Sequence, residues 1–162
     1  LTMALGAGAV TPLQMASGYG VFANGGYLVA PRLIERISDY RGRVLQDSPP
    51  QKPDESMRVI DARNAYVMTD LLQEVTRSGT AARAQGTLKR NDIYGKTGTT
   101  NDSMDAWFAG WHPSLVAVVW IGYDTPRKLG DKETGGGLAL PVWIEYMQYA
   151  LKGLPRSPTS TA

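Results

Sequence analysis

Gly95-Lys96-Thr97-Gly98-Thr99-Thr100 is where this chain concentrates groups able to do chemistry, and two incompatible chemistries fit it. The first is phosphate binding, because Gly-Lys-Thr closes a nucleotide-binding loop. That loop also needs a glycine five residues before Gly95, where Arg90 stands, and it must open a helix. Here the triplet leads instead into a polar turn and then the strand-like Asp105-Ala106-Trp107-Phe108-Ala109-Gly110-Trp111. The second chemistry is that of a strand with a peptide laid along its edge, as in the Lys-Thr-Gly strand of serine acyl transfer. Gly98 has no side chain and lets a substrate approach the backbone. Thr97 and Thr99 fall on one face of a strand, where two hydroxyls can grip one carboxylate. Lys96 points the other way and brings positive charge beneath the site. The Thr99 N–H can donate to an oxyanion. The bare triplet also fits an ordinary strand end with a turn.

The rest of the chain must position that strand. Its 162 residues are enough for one modest domain, and 43% hydrophobic with 20% charged residues is a globular composition. The net charge of +2 comes from 17 basic and 15 acidic side chains with no basic block, so nucleic acid is not an expected partner. There is no cysteine and a single histidine, His112, which excludes disulfides, a thiol nucleophile and a multi-histidine metal site. No cofactor is expected. The longest apolar run, Leu115 to Ile121, is too short to span a bilayer. The chain starts at Leu1 without the basic segment of a signal peptide, as if within a longer pattern, and is expected to be a fragment.

Thr11-Pro12 reads as a helix cap followed by proline at the first helical position, with Leu13, Ala16, Gly20 and Ala23 at helical spacing and Asn24-Gly25-Gly26 as the stop. Tyr27 to Asp39, the turn Tyr40-Arg41-Gly42-Arg43 and Val44-Leu45 form an expected hairpin, and residues 46–57 a proline-containing loop. Asp61 to Ser78 is the strongest helical pattern, with Val67, Leu71 and Val75 in a stripe widened by Met68 and Leu72. Strands are expected over Ile93–Thr99, Asp105–Trp111 and Leu115–Tyr123, the last too apolar for an exposed edge. A Gly-rich flexible loop over 130–137 leads to a helix opened by Pro141, with Trp143, Met147, Ala150 and Leu151 on one face, and to a disordered tail over 154–162. Helices, three adjacent strands and a final helix define an α+β domain.

Other conspicuous residues have plain readings. Trp107, Phe108, Trp111 and Trp120 are expected to be sheet packing before cleft lining. Asp105 is a strand-start residue bonding nearby backbone. His112 is a turn residue, not a base. Asp92 and Asn101 to Ser103 either touch substrate or form turns, and the Tyr146-Met147-Tyr149 cluster belongs to a packed helix.

Beyond the triplet, several blocks occur in a fixed order: Val10-Thr11-Pro12-Leu13-Gln14-Met15-Ala16, Phe22-Ala23-Asn24-Gly25-Gly26, Lys96 to Asn101, Asp105 to Gly110, and Val119-Trp120-Ile121-Gly122-Tyr123-Asp124. In these blocks the chain resembles the class A penicillin-binding proteins, and from Asp124 to Pro141 the type 1a members of Gram-negative bacteria. The resemblance implies a penicilloyl-serine transferase or β-lactamase-like fold, to which this chain supplies three strands of an antiparallel sheet and the helices packed on it. It implies a D,D-transpeptidase that cross-links peptidoglycan stem peptides and is acylated by β-lactams, at the periplasmic face of the bacterial inner membrane.

In that family the nucleophile lies in Ser-x-x-Lys, followed by Ser-x-Asn, and neither pattern occurs here. Residues 1–153 are therefore expected to be the C-terminal half of the transpeptidase domain, inactive alone and partnered by the half that carries both motifs. Matched by position, Lys96 would polarise the serine of the absent Ser-x-Asn. Thr97 and Thr99 would bind the carboxylate of the terminal D-Ala or of a β-lactam. The Thr99 N–H would complete the oxyanion hole, and Gly98 would let the acyl donor lie against the strand. A non-catalytic carboxylate- or peptide-binding module, and a related D,D-carboxypeptidase or β-lactamase, are the alternatives.

Overall fold

A computed structural model describes residues 8–50, 52–131 and 133–157. In chain order its elements are α1 (Pro12–Ala23), β1 (Arg36–Ser38), β2 (Val44–Asp47), α2 (Ala62–Arg77), α3 (Ala82–Leu88), β3 (Tyr94–Thr99), β4 (Ala106–His112), β5 (Leu115–Ile121) and α4 (Leu140–Ala150). The domain is α+β, with β3, β4 and β5 forming an antiparallel meander in that order and β1–β2 a separate hairpin.

The register fixes two faces. Gly98 pairs with Trp107 and Trp107 with Trp120, while Thr97 pairs with Phe108 and Phe108 with Val119. One face, carrying Tyr94 and Trp111, packs on Tyr19, Phe22 and Ala23 of α1 and on Met68 and Leu72 of α2. The other, carrying Phe108, packs on Leu140, Trp143, Ile144 and Met147 of α4. Gly95 and Gly110 are cross-strand partners, and a Cβ on either would come within 2.9 Å of the Phe108 ring. Their missing side chains let Phe108 meet Trp143 edge-on at 4.9 Å between ring centroids. Gly95 thus serves core packing, and it lies inside strand β3 and does not open a helix as a phosphate loop requires.

The α1 cap is a full capping box: Thr11 Oγ1 accepts from the Gln14 N–H, and Gln14 Oε1 accepts from the Thr11 N–H. Of the expected first hairpin strand, Arg36–Ser38 pairs with β2, while Tyr27 forms an isolated antiparallel bridge with Arg58 instead. Helix α2 starts after its Asp61 cap as expected, but its buried side is rotated from the expected stripe. Ala65, Leu72 and Thr76 are buried, whereas Val67 and Leu71 are exposed. The stripe is displaced because Thr76, polar by type, is fully buried and spends its hydroxyl on Ile93 O at 2.8 Å. Helix α3 has no counterpart among the expected elements. At seven residues with Gly86 inside, it offers no periodic signal, and it is held by the buried Ala81 and Ala84.

Among the described residues β5 is the outer strand of the sheet, and its apolar side chains pack toward the helices on both faces. Two further expectations are corrected. The glycine segment is no loose loop. Gly135–Ala139 form one π-helical turn, capped by Thr134 and continuous with α4. The tail is ordered as far as it is described, because Arg90 donates to Leu154 O and Pro155 O and the Ser157 N–H donates to Asp92. Residues 158–162 lie outside the described residues.

Candidate active site

Strand β3 is anchored at both ends. At its start, Asp92 is fully buried and takes a two-pronged hydrogen bond from Arg90, with Nε–Oδ1 at 2.8 Å and Nη2–Oδ2 at 2.7 Å. His112, on the paired strand, accepts the Ser114 N–H at Nδ1, so its proton sits on Nε2 and faces Asp92 Oδ2 at 3.2 Å. Burial alone would raise the Asp92 carboxyl. The Arg90 hydrogen bonds, the Ser157 N–H and the neighbouring charges outweigh it and hold the group at about 2. At the end of β3, Thr100 Oγ1 accepts the N–H groups of Met104 and Asp105, and the Thr100 N–H donates to Asp105 O.

That last bond sets the direction of the others. With the Thr100 N–H turned toward β4, strand alternation turns the N–H and C=O groups of Thr99 and Thr97 to the opposite edge of β3, which is open among the described residues. An extended peptide can pair there, and the Thr99 N–H is free of β4 to meet an oxyanion.

The structure brings Lys96 and Thr97 together at that edge. Lys96 starts on the other face, as expected, but its long side chain bends back. Its ammonium donates to Thr97 O at 3.1 Å and Thr97 Oγ1 at 3.3 Å. Both threonine hydroxyls already have a partner. Thr97 Oγ1 lies 3.0 Å from Thr80 Oγ1, and Thr99 Oγ1 accepts the Gly135 N–H at 3.0 Å. Sequence reasoning missed Thr80 and Gly135. Thr80 has no motif around it, and the glycine run lacks any strand-to-helix pattern. Gly135 is tightly seated, since a Cβ there would stand 2.5 Å from Gly98 O. Gly135→Ala is expected to push the turn off β3, lower stability by about 1–3 kcal/mol and slow any reaction that uses Thr99. A thermal melt and activity assay of the full-length protein check this.

Lys96, Gly98 and the turn after β3 line one wall of a groove of about 1130 Å³, with Met15 and Tyr19 of α1 opposite. Trp107 and Trp120, expected as packing, line it too, their centroids 6.2 Å apart. Phe108 and Trp111 are core, as expected. Among the described residues the Asp105 carboxylate bonds no backbone group. It accepts the Trp120 indole N–H at 2.7 Å and so fixes the aromatic wall. Asp92 neither touches the groove nor forms a simple turn, being the buried partner of Arg90. Among the described residues no cluster of His, Cys, Asp and Glu could hold a metal ion, and no helix is long and apolar enough to cross a membrane.

The penicillin-binding protein transpeptidase domain model matches residues 1–148, and the chain belongs to this family. It is 52% identical to penicillin-binding protein 1A of Neisseria flavescens over 98% of this chain, and 42% identical to that of Pseudomonas aeruginosa over 95%. It spans only 20% and 24% of those relatives' lengths. The crystal structure of penicillin-binding protein 1A from Haemophilus influenzae superposes with a TM-score of 0.88 at 35% identity, covering 99% of this chain and 29% of that one. The D,D-transpeptidase domain of a peptidoglycan glycosyltransferase from Eggerthella lenta gives 0.68 at 26% identity, covering 90% of this chain and 33% of that one.

Proposed function

We propose that this chain supplies the Lys-Thr-Gly wall of a serine D,D-transpeptidase whose nucleophile lies elsewhere in the same protein. The observation that carries the reading is the open edge of β3, where the Lys96 ammonium, the Thr97 and Thr99 side chains and the Thr99 N–H converge beside a groove. A stem peptide ending in D-Ala-D-Ala pairs along this edge, with Gly98 giving its backbone room. Thr97 and Thr99 take the terminal carboxylate. The serine oxygen attacks the penultimate carbonyl, whose developing negative charge falls on the Thr99 N–H. Lys96 steadies the second, proton-relaying serine of the absent Ser-x-Asn. Breaking the peptide bond releases D-Ala and leaves an acyl-serine, which the amine of a second stem peptide attacks to form the cross-link. A β-lactam presents the same carboxylate and carbonyl and stops at the acyl stage.

In this reading the protein works on the periplasmic face of the inner membrane, where its peptidoglycan substrate lies, without nucleic acid or a cofactor. The half carrying Ser-x-x-Lys and Ser-x-Asn is its obligate partner, and this segment alone is inactive.

The test is fluorescent penicillin added to the full-length protein and to this segment alone, followed by mapping of the labelled peptide. Label on a serine outside residues 1–162 of the full-length protein, and none on the segment, is the expected result. Label on the segment would overturn the assignment of the nucleophile. No label on either would favour a carboxylate-binding module, and rapid loss of label to water would favour a hydrolase.

A further inference from the structure

The two hydroxyls at the open edge of β3 are each met from behind by a group that no motif contains. Gly135 donates its N–H to Thr99 Oγ1 at 3.0 Å, so the Thr99 oxygen acts as acceptor and its proton is left to point outward. Thr97 is in the corresponding position with respect to Thr80, whose Oγ1 lies 3.0 Å away, and the Lys96 ammonium also donates to Thr97 Oγ1. Thr80 is well placed for such a task. It comes just after the end of α2, next to Ala81, which is fully buried and whose N–H donates to Val75 O at 3.1 Å. The backbone at Thr80 is therefore fixed while its side chain stays at the surface, on the edge of the site.

We propose that Thr80 is a positioning residue for anion recognition, donating its hydroxyl proton to Thr97 Oγ1 so that Thr97 in turn donates to the substrate carboxylate. The inference rests on the transpeptidase reading and adds a third hydroxyl to its carboxylate grip. The direction of the bond comes from proton counting. A hydroxyl has one proton, and Thr97 can donate to an anion only if it does not spend that proton on Thr80. A chain of hydroxyls ending on a negative charge is also strengthened along its length by polarisation. Thr99 is prepared in the same way by a backbone N–H, so both hydroxyls present protons to the same ligand.

The test compares acylation of the full-length protein by benzylpenicillin and by its carboxylate methyl ester, in wild-type protein and in the T80V and T80S variants. Thr80→Val is expected to slow acylation by the free acid about five- to tenfold, the size of one hydrogen bond between neutral groups. It should change acylation by the ester less than twofold. Thr80→Ser should keep the acid within threefold of wild type, because the hydroxyl is retained. If Thr80→Val slows acid and ester equally, or leaves the acid within twofold, the proposal is overturned. If the wild-type protein is acylated by neither compound, the transpeptidase reading falls and this one with it.

Discussion

Replacing Arg90 by alanine in the full-length protein is expected to lower the stability of this domain by about 3–5 kcal/mol, the cost of leaving a buried charge without its partner. Asp92 has no exposed side-chain surface and Arg90 is nearly buried, so water cannot compensate. The same guanidinium holds the backbone at Leu154 and Pro155, so the chain after α4 should loosen as well. Urea unfolding monitored by tryptophan fluorescence checks the first effect, and hydrogen exchange at 154–157 the second. A loss under 1 kcal/mol would mean that the pair is not essential. The pH dependence has a definite sign. The Asp92 carboxyl is held at about 2, below its ordinary 3.8. A depressed carboxyl contributes stability that is present above the ordinary value and lost as pH falls through the folded one. The stability difference between wild type and Asp92→Asn should therefore be constant at pH 5 and above and shrink between about pH 4 and pH 2.

Lys96→Ala should have the largest effect on activity. Lys96 is exposed and among the described residues bonds only Thr97, so its removal should leave the melting temperature nearly unchanged. In the proposed reaction it supplies the positive charge beside the proton-relaying serine, and losing such a group costs about 10²–10⁴ in rate. The second-order rate constant for acylation by a fluorescent penicillin, measured alongside a thermal melt, separates the two effects. A rate within tenfold of wild type, with an unchanged melt, would remove Lys96 from the chemistry.

The parts of the site that lie in one contiguous stretch were legible in the sequence, and the parts that meet across space were not. Alternation along a strand is enough to place Thr97 and Thr99 on one face. It cannot show that the Lys96 side chain turns back to Thr97, because four rotatable bonds separate its ammonium from the backbone. Thr80 and Gly135 reach β3 from segments 17 and 36 residues away, and neither carries a local signature. In the fold, the capped ends of α1 and α2 were readable from Thr11-Pro12 and Asp61, where the signal is chemical and local. The buried side of α2 was misjudged because hydrophobicity ranked Val67 and Leu71 above Ala65 and Thr76. Tertiary packing chose the small residue and the hydrogen-bonding one. Trp107 and Trp120 show the opposite error. Tryptophan on a strand is usually packing, and the groove beside Lys96 becomes visible only once α1 is seen to stop short of covering that end of the sheet.

The most direct test is a crystal structure of the full-length protein acylated by benzylpenicillin. The ligand carboxylate is expected within hydrogen-bonding distance of the Thr97 and Thr99 hydroxyls, the acyl carbonyl oxygen on the Thr99 N–H, and the covalent bond on a serine outside residues 1–162. A carboxylate bound away from β3, or a carbonyl oxygen held by other donors with the edge at Thr99 empty, would refute the assignment of β3 as the substrate-binding wall.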